Sequence, residues 1–445
     1  MYKFFLNIGI SFNVIEGFDY LYNTFYNNGI ILFLFKEEIL MIQGNATLVV
    51  DLGNSSTKGM VLFGKDSQTG KFRERSFDLS NQFAIVPPDY EVPSDYSDTT
   101  STVLTIDAEV NGKPVKGTFC NGEVQQKEKP TGILRPTATR KKYELDTTAL
   151  SFELAFLYGC KAIMDMQRVS DFSQLDITWK VVTLLPPGDI DGGKEKIEEI
   201  IKSIKSINTS YPVCNLPVNI ERVAVLPEGY CAYIAVVYDK GHVYRPDYKF
   251  LNNETVIVFD VGAGTTDCML VSEGKLVQTS RLTVGKGGNN VFQIVKRDLE
   301  LQGLTLDDSD IQRGVIKGFV KDGSKKIPID DIVNKAKSEV ASIIIEEFTG
   351  YLERTDIKVR SIGYVLVCGG GSMNDSDCEE IKPLSEGLVN NFKELSPNVS
   401  LIDIPTHVVS KVDETNEDGV CKKVEEKISP RDLNLIGASI LAELL

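Results

Sequence analysis

Apolar and polar positions alternate along this chain in a recurring grammar. A β-branched run enters a turn made of small residues, and a second apolar run leaves it. The first instance runs Leu48-Val49-Val50-Asp51-Leu52, then Gly53-Asn54-Ser55-Ser56-Thr57-Lys58, then Gly59-Met60-Val61-Leu62-Phe63. The second runs Val256-Ile257-Val258-Phe259-Asp260-Val261, then Gly262-Ala263-Gly264-Thr265-Thr266-Asp267, then Cys268-Met269-Leu270-Val271. Each predicts a β-hairpin whose tip carries no bulky side chain. A third apolar run, Tyr364 to Cys368, ends in Gly369-Gly370-Gly371-Ser372-Met373. Between the runs the pattern turns helical: Ile332, Val333, Ala336, Val340 and Ile343 form a stripe over Asp331–Phe348 that reads as core packing. Residues 64–140 mix short strands with polar turns, including a hairpin at Asn111-Gly112, and predict a small subdomain. The charged stretch Thr406 to Ser429 reads as a solvated loop or insertion.

The two hairpins can be laid over each other, Asp51 on Asp260, Gly53 on Gly262, Ser55 on Gly264 and Thr57 on Thr266. This internal echo predicts two similar α/β domains, each supplying one loop. Small residues at a hairpin tip let backbone N–H groups approach phosphate oxygens, and the hydroxyls of Ser55, Ser56 and Thr57 with the charge of Lys58 add to the same place. Facing each other, the loops would clamp a polyphosphate, with Asp51 and Asp260 holding magnesium through water. Three glycines at Gly369–Gly371 strip Cβ atoms from one surface, so a base or ribose can lie against the backbone. Gly287 and Gly288, opening a helix after the second hairpin, predict either a nucleotide border at a helix N-terminus or a plain glycine loop. Two other matches fail. Gly59-x-x-x-x-Gly64-Lys65 has Asp66 where a P-loop needs Ser or Thr, and Gly262-x-Gly264 is followed by a strand, not a helix.

Composition narrows the picture. The net charge of −15 argues against direct binding of a nucleic-acid backbone. Eight cysteines without a C-x-x-C pair fit reduced, buried thiols in a cytoplasmic protein, and two histidines leave no room for a multi-histidine metal site. Residues 1–40 hold seven of the 21 Phe and no Ala, Pro or Arg. That bias resembles translated AT-rich DNA and predicts a non-native or disordered extension, with Met41 as the start. Their longest apolar run is too short to span a bilayer.

The ordered set of motifs resembles the superfamily of actin, heat-shock chaperones and sugar kinases. The two hairpins resemble its phosphate loops, and Cys368 to Asn374 its adenosine motif. Val225-Leu226-Pro227-Glu228-Gly229-Tyr230 is similar to its first connecting segment, and Asp432 to Ala438 to its last connecting helix. Trp179 to Pro187, with the Lys/Glu-rich helix after it, and the helix from Lys142 to Ala162 are similar to ParM-like plasmid-segregation actins. The resemblance implies an actin-like (ribonuclease-H-like) duplicated fold with a nucleotide cleft between domain I (41–250, rejoined by 426–445) and domain II (251–425). It implies ATP hydrolysis, with GTP left open, in which Glu228 orients water and Asp51 and Asp260 hold Mg2+. A carboxylate just before a helix beside a triphosphate can also accept a proton. The partners implied are further copies of the chain in a filament and an adaptor protein at a plasmid centromere-like site, with no direct nucleic-acid or membrane contact. Within the same superfamily a small-molecule kinase, a chaperone-type ATPase and a membrane-associated cytoskeletal actin stand as alternatives.

Overall fold

The computed structural model describes residues 41–54, 56–67, 70–96, 101–128, 132–136, 140–355, 357–372, 378–412 and 421–444. The expected extension at residues 1–40 lies outside them.

Strand β1 (Ile42–Leu52) turns into β2 (Ser56–Lys65), and β2 pairs antiparallel with β3 (Phe72–Ser80). Helix α1 (Asp146–Gln167) carries the chain back to β4 (Leu175–Leu185), which lies parallel to β1. Helix α2 (Ile190–Ser203) precedes β5 (Asn219–Pro227), parallel to β4, and the short helix α3 (Tyr230–Val237) follows. The resulting sheet order is β5-β4-β1-β2-β3. Its core packs α1 against the sheet, with Trp179 fully buried and edge-on to Phe156 at 5.6 Å.

The second half repeats this plan. Strand β6 (Thr255–Val261) pairs antiparallel with β7 (Thr266–Ser272). After α4 (Gly288–Leu301) and α5 (Asp330–Arg354), β8 (Tyr364–Cys368) returns parallel to β6. Helix α6 (Leu384–Leu395) then leads to β9 (Ser400–Leu401), parallel to β8. One hairpin flanked by two parallel returns therefore occurs twice, in the same order. The helical stripe holds: Val333, Ala336, Val340, Ile344 and Phe348 of α5 are buried, with Ile332 and Ile343 at the border.

Helix α7 (Leu433–Ala442) crosses back and packs on α3 and on β1, β2 and β4, so the last segment covers the first sheet. The small sheet contains the expected hairpin, Ser101–Val110 with Lys113–Gly122, turning through Asn111 and Gly112 at φ 50° and 70°. It also recruits Ser206–Tyr211 and Val213–Pro217, from well beyond residue 140. The expected loop at 406–429 is instead an antiparallel pair, Thr406–Val412 with Cys421–Lys427. The β-branched residues threaded among its charges favour extended backbone over coil.

Candidate functional site

The two predicted hairpins close in the same way. Gly53 N–H donates to the Ser56 carbonyl at 2.9 Å, and Gly262 N–H to the Thr265 carbonyl at 2.8 Å. Register sets Asp51 opposite Lys58 and Asp260 opposite Asp267. One turn is thus built twice, with a cation on one copy and an anion at the equivalent place on the other.

Each loop has its own brace. Asn81 donates to the Gly53 carbonyl and accepts from the Thr57 hydroxyl and from Ser151 Oγ, the last at 3.2 Å. Thr57 is consequently buried in this network. The second loop rests on the start of α4: Gly288 N–H donates to the Gly262 carbonyl at 3.0 Å and Asn289 N–H to the Ala263 carbonyl at 2.7 Å. Thr266 Oγ1 donates to the Lys286 carbonyl at 2.8 Å. These helix-terminal amides are spent on the loop, and Gly287 lies directly under it, where a Cβ would come within 2.6 Å of the Gly262 oxygen.

The triple glycine packs against the same loop. A Cβ at Gly369, whose φ is +85°, would sit 2.4 Å from Asp260 Oδ1, and one at Gly371 would sit 2.5 Å from the Gly262 oxygen. Two of the three glycines are therefore required by the chain's contact with itself. Gly370, whose nearest neighbour is the Arg431 side chain at 3.8 Å, has room on its open side.

A cavity of about 980 Å³ opens between the two halves. Of the predicted residues, Asp51, Gly53, Asn54, Ser56, Lys58, Glu228, Asp260, Gly262, Ala263, Thr265, Gly288 and Gly369–Gly371 line it. Gly264 sits in the second loop without lining it, and Thr57, Thr266 and Gly287 support it from behind. Ser55 and Met373 lie outside the described residues, as does the side chain of Ser372.

Glu228 occupies the turn between β5 and α3, before the helix begins at Tyr230, and is 8% exposed. Its backbone N–H donates to the Leu185 carbonyl at 2.9 Å, tying the turn to the end of β4. Its carboxylate pairs with the Lys142 ammonium. Burial pushes the Glu228 carboxyl well above its ordinary range; Lys142 opposes this, while Asp51, Asp267 and Asp260 add to it. Burial alone would lower Lys142, but the Glu228 and Asp51 charges hold it above its usual value. Burial likewise raises Asp267 to about 7 despite the hydrogen bond it accepts from Thr283 Oγ1 at 2.5 Å. Asp260 is raised by burial and partly relieved by Asn434, whose Nδ2 donates to Asp260 Oδ2 at 2.5 Å. The other end of that amide accepts from Gly229 N–H at 2.8 Å, so Asn434 links Asp260 to the turn that carries Glu228.

Several cavity residues escaped sequence reasoning as site residues. Arg140, Lys141 and Lys142 enter the cavity from the segment before α1, and Asp189, Asp267, Arg431, Asp432 and Asn434 line it too. The tribasic run in an acidic chain was a usable signal. Asn434 carried none, because its role depends on α7 crossing back to the first sheet. Lys58 is engaged by the same segment, pairing with Asp432 at 3.3 Å and donating to the Arg431 carbonyl.

The donor set bears on magnesium. Among the described residues no group of three or more His, Cys, Asp or Glu is arranged to hold a metal directly. Asp51 and Asp260 line one cavity, an arrangement that suits a hydrated cation held at one remove. Also among the described residues, no helix is long and apolar enough to cross a membrane.

Two hairpin-led sheets of identical strand order, joined by crossing helices over a polar cleft, define an actin-like two-domain α/β fold. Residues 258–375 match the family described as archaeal actin homologue MreB-like, C-terminal. The fold is similar to that of the actin-like protein Alp7A, with a TM-score of 0.59 at 17% identity over 90% of this chain and 97% of that one. It is similar to a Bacillus thuringiensis ParM solved with ATP, at 0.54 and 14% over 90% and 99%. A third likeness is to a 15-stranded ParM filament from Clostridium botulinum, at 0.52 and 16% over the same shares. No curated protein matches in sequence. The comparisons thus agree on an actin-like fold.

Proposed function

We propose that this chain is a polymerising actin-like ATPase of the cytoplasm, whose ATP-bound filaments separate plasmid copies through an adaptor protein at a centromere-like site. Domain I comprises 41–250 with 426–445, domain II comprises 251–425, and ATP with Mg2+ occupies the cleft. The observation that carries the reading is the pair of equivalent glycine loops lining one cavity with a buried glutamate, Glu228, beside them. The ParM neighbours, one solved with ATP and one as a filament, support the same reading.

Loop amides bind the phosphates, and Asp51 and Asp260 hold the hydrated Mg2+, which supplies charge neutralisation when bound. Water oxygen attacks the terminal phosphorus as the bond to the bridging oxygen breaks, leaving that electron pair on ADP. The Glu228 carboxylate, which lines the cavity, orients this water and takes its proton.

Phosphate release from ATP, measured beside ATP binding for the full chain and for Glu228→Gln, tests this. Both proteins are expected to bind, with release slowed by about 100-fold or more in the variant. A full chain that neither binds nor hydrolyses ATP, or a variant at the parent rate, would overturn it.

A further inference from the structure

Glu228 is not free. Its carboxylate is held by Lys142, a residue on a different segment from either glycine loop, and both side chains are mostly buried, at 10% and 15% exposure. A carboxylate that accepts hydrogen bonds from an ammonium is a poorer acceptor for a water proton than one that has been released. The pair therefore suppresses the role proposed for Glu228 until something displaces the lysine.

The cavity's other cations are each tied to an edge of the site. Lys58 is held by Asp432 and the Arg431 carbonyl, Arg140 by the Glu144 carbonyl, Lys141 by Asp189, and Arg431 by Asp78 and Ser56. Among the described residues the Lys142 ammonium donates to Glu228 alone, leaving two of its three N–H donors for a ligand. Lys142 also lines the cavity together with Asp51, Gly53 and Gly262, which belong to the two loops.

We propose that Lys142 is a sensor of the terminal phosphate, leaving Glu228 for that phosphate when a nucleoside triphosphate binds and so freeing the Glu228 carboxylate to accept the water proton. A diphosphate lacks the third phosphate, and Lys142 then stays on Glu228. This rests on the ATPase reading and adds a residue and a selection step to it. Phosphate oxygens compete with the Glu228 carboxylate for the lysine because both bonds are charge-assisted and a terminal phosphate carries more negative charge than one carboxylate. The exchange also swaps one anionic partner for another, so no buried cation is stranded.

The test compares the full chain with Lys142→Met, which keeps the length of the side chain and removes its charge, and with Lys142→Arg. Affinity for ADP and for the non-hydrolysable analogue AMPPNP is measured first, then kcat and KM for ATP. Lys142→Met should bind ADP within about twofold of the parent and AMPPNP about tenfold more weakly, the size of one charge-assisted hydrogen bond. Its kcat should fall as KM rises, and Lys142→Arg should recover part of both. Because Lys142→Met leaves Glu228 buried without its cation, the double variant Lys142→Met/Glu228→Gln is measured as well. It removes both charges together and should show the same selective loss of AMPPNP against Glu228→Gln alone. Equal losses for the two nucleotides, or parent values of kcat and KM in Lys142→Met, would overturn the sensor while leaving the ATPase intact. A parent chain that binds neither nucleotide would overturn the ATPase and the sensor together.

Discussion

A very close backbone contact lies where α3 and α7 cross, and it sets a quantitative test. A Cβ built on Gly437 would lie 1.7 Å from the Cys231 carbonyl oxygen and 3.1 Å from the Ala235 nitrogen. Both atoms are backbone, so no rotamer change can make room, and the helices would have to separate by more than ~1 Å. Overpacking a close-packed contact costs about 1–3 kcal/mol, and a backbone clash belongs at the upper end. Alanine's helix propensity returns about 0.8–1 kcal/mol relative to glycine. Gly437→Ala should therefore destabilise by about 2 kcal/mol. Gly350→Ala in α5 is the matched control: its Cβ would meet nothing closer than Arg354 Nη1 at 3.9 Å, so it should stabilise by about 0.5–1 kcal/mol from propensity alone. Urea unfolding of both variants, followed by circular dichroism, reads the two changes, which should differ by about 3 kcal/mol between chemically identical substitutions. The crossing also connects to the site, because Glu228 precedes α3 and Asn434 lies in the first turn of α7. Phosphate release should thus fall in Gly437→Ala as well. A Gly437→Ala protein within about 0.5 kcal/mol of the parent would refute the reasoning.

Gly371→Ala should lower ATP affinity at least about tenfold, since its Cβ would press on the Gly262 oxygen at 2.5 Å; Gly370→Ala, with Arg431 at 3.8 Å, should be tolerated. Fluorescence titration with a labelled nucleotide distinguishes the pair, and equal effects would contradict the packing argument. Away from the cleft, burial raises Glu153 to about 8, with only the Asn208 N–H, at 3.2 Å, favouring its charged form. The folded state then holds a proton that the unfolded state releases from about pH 4.5 upward, so this contribution is complete below that pH and lost as pH rises to about 8. Glu153→Gln should flatten that part of the stability–pH curve; an unchanged curve would show that the carboxyl is not buried as described.

What could be read from the sequence was local. The two hairpins, the strand before the triple glycine and the α5 stripe each announce themselves within some sixteen residues, because side-chain period and turn chemistry are short-range properties. The long-range pairing at the cleft was not readable, since Lys142 meets Glu228 only after the first half has folded, and Asn434 meets Asp260 only where the last helix crosses back. The triple glycine was read for ligand approach, whereas Gly369 and Gly371 are small mainly because β8 ends against the second loop. Likewise Ser206–Pro217 joins a sheet begun near residue 83, a long-range pairing without a local signal. The pair at 406–427 was hidden by charge density, which overrode its β-branched pattern.

The central claim is that nucleotide in this cleft governs assembly, and high-speed sedimentation of the full chain with ATP and Mg2+, beside Glu228→Ala, tests it most directly. The account predicts that ATP drives the parent protein into the pellet and that it returns to the supernatant as phosphate appears, while Glu228→Ala pellets and stays there. If neither protein pellets with ATP across concentration and salt, the account is contradicted.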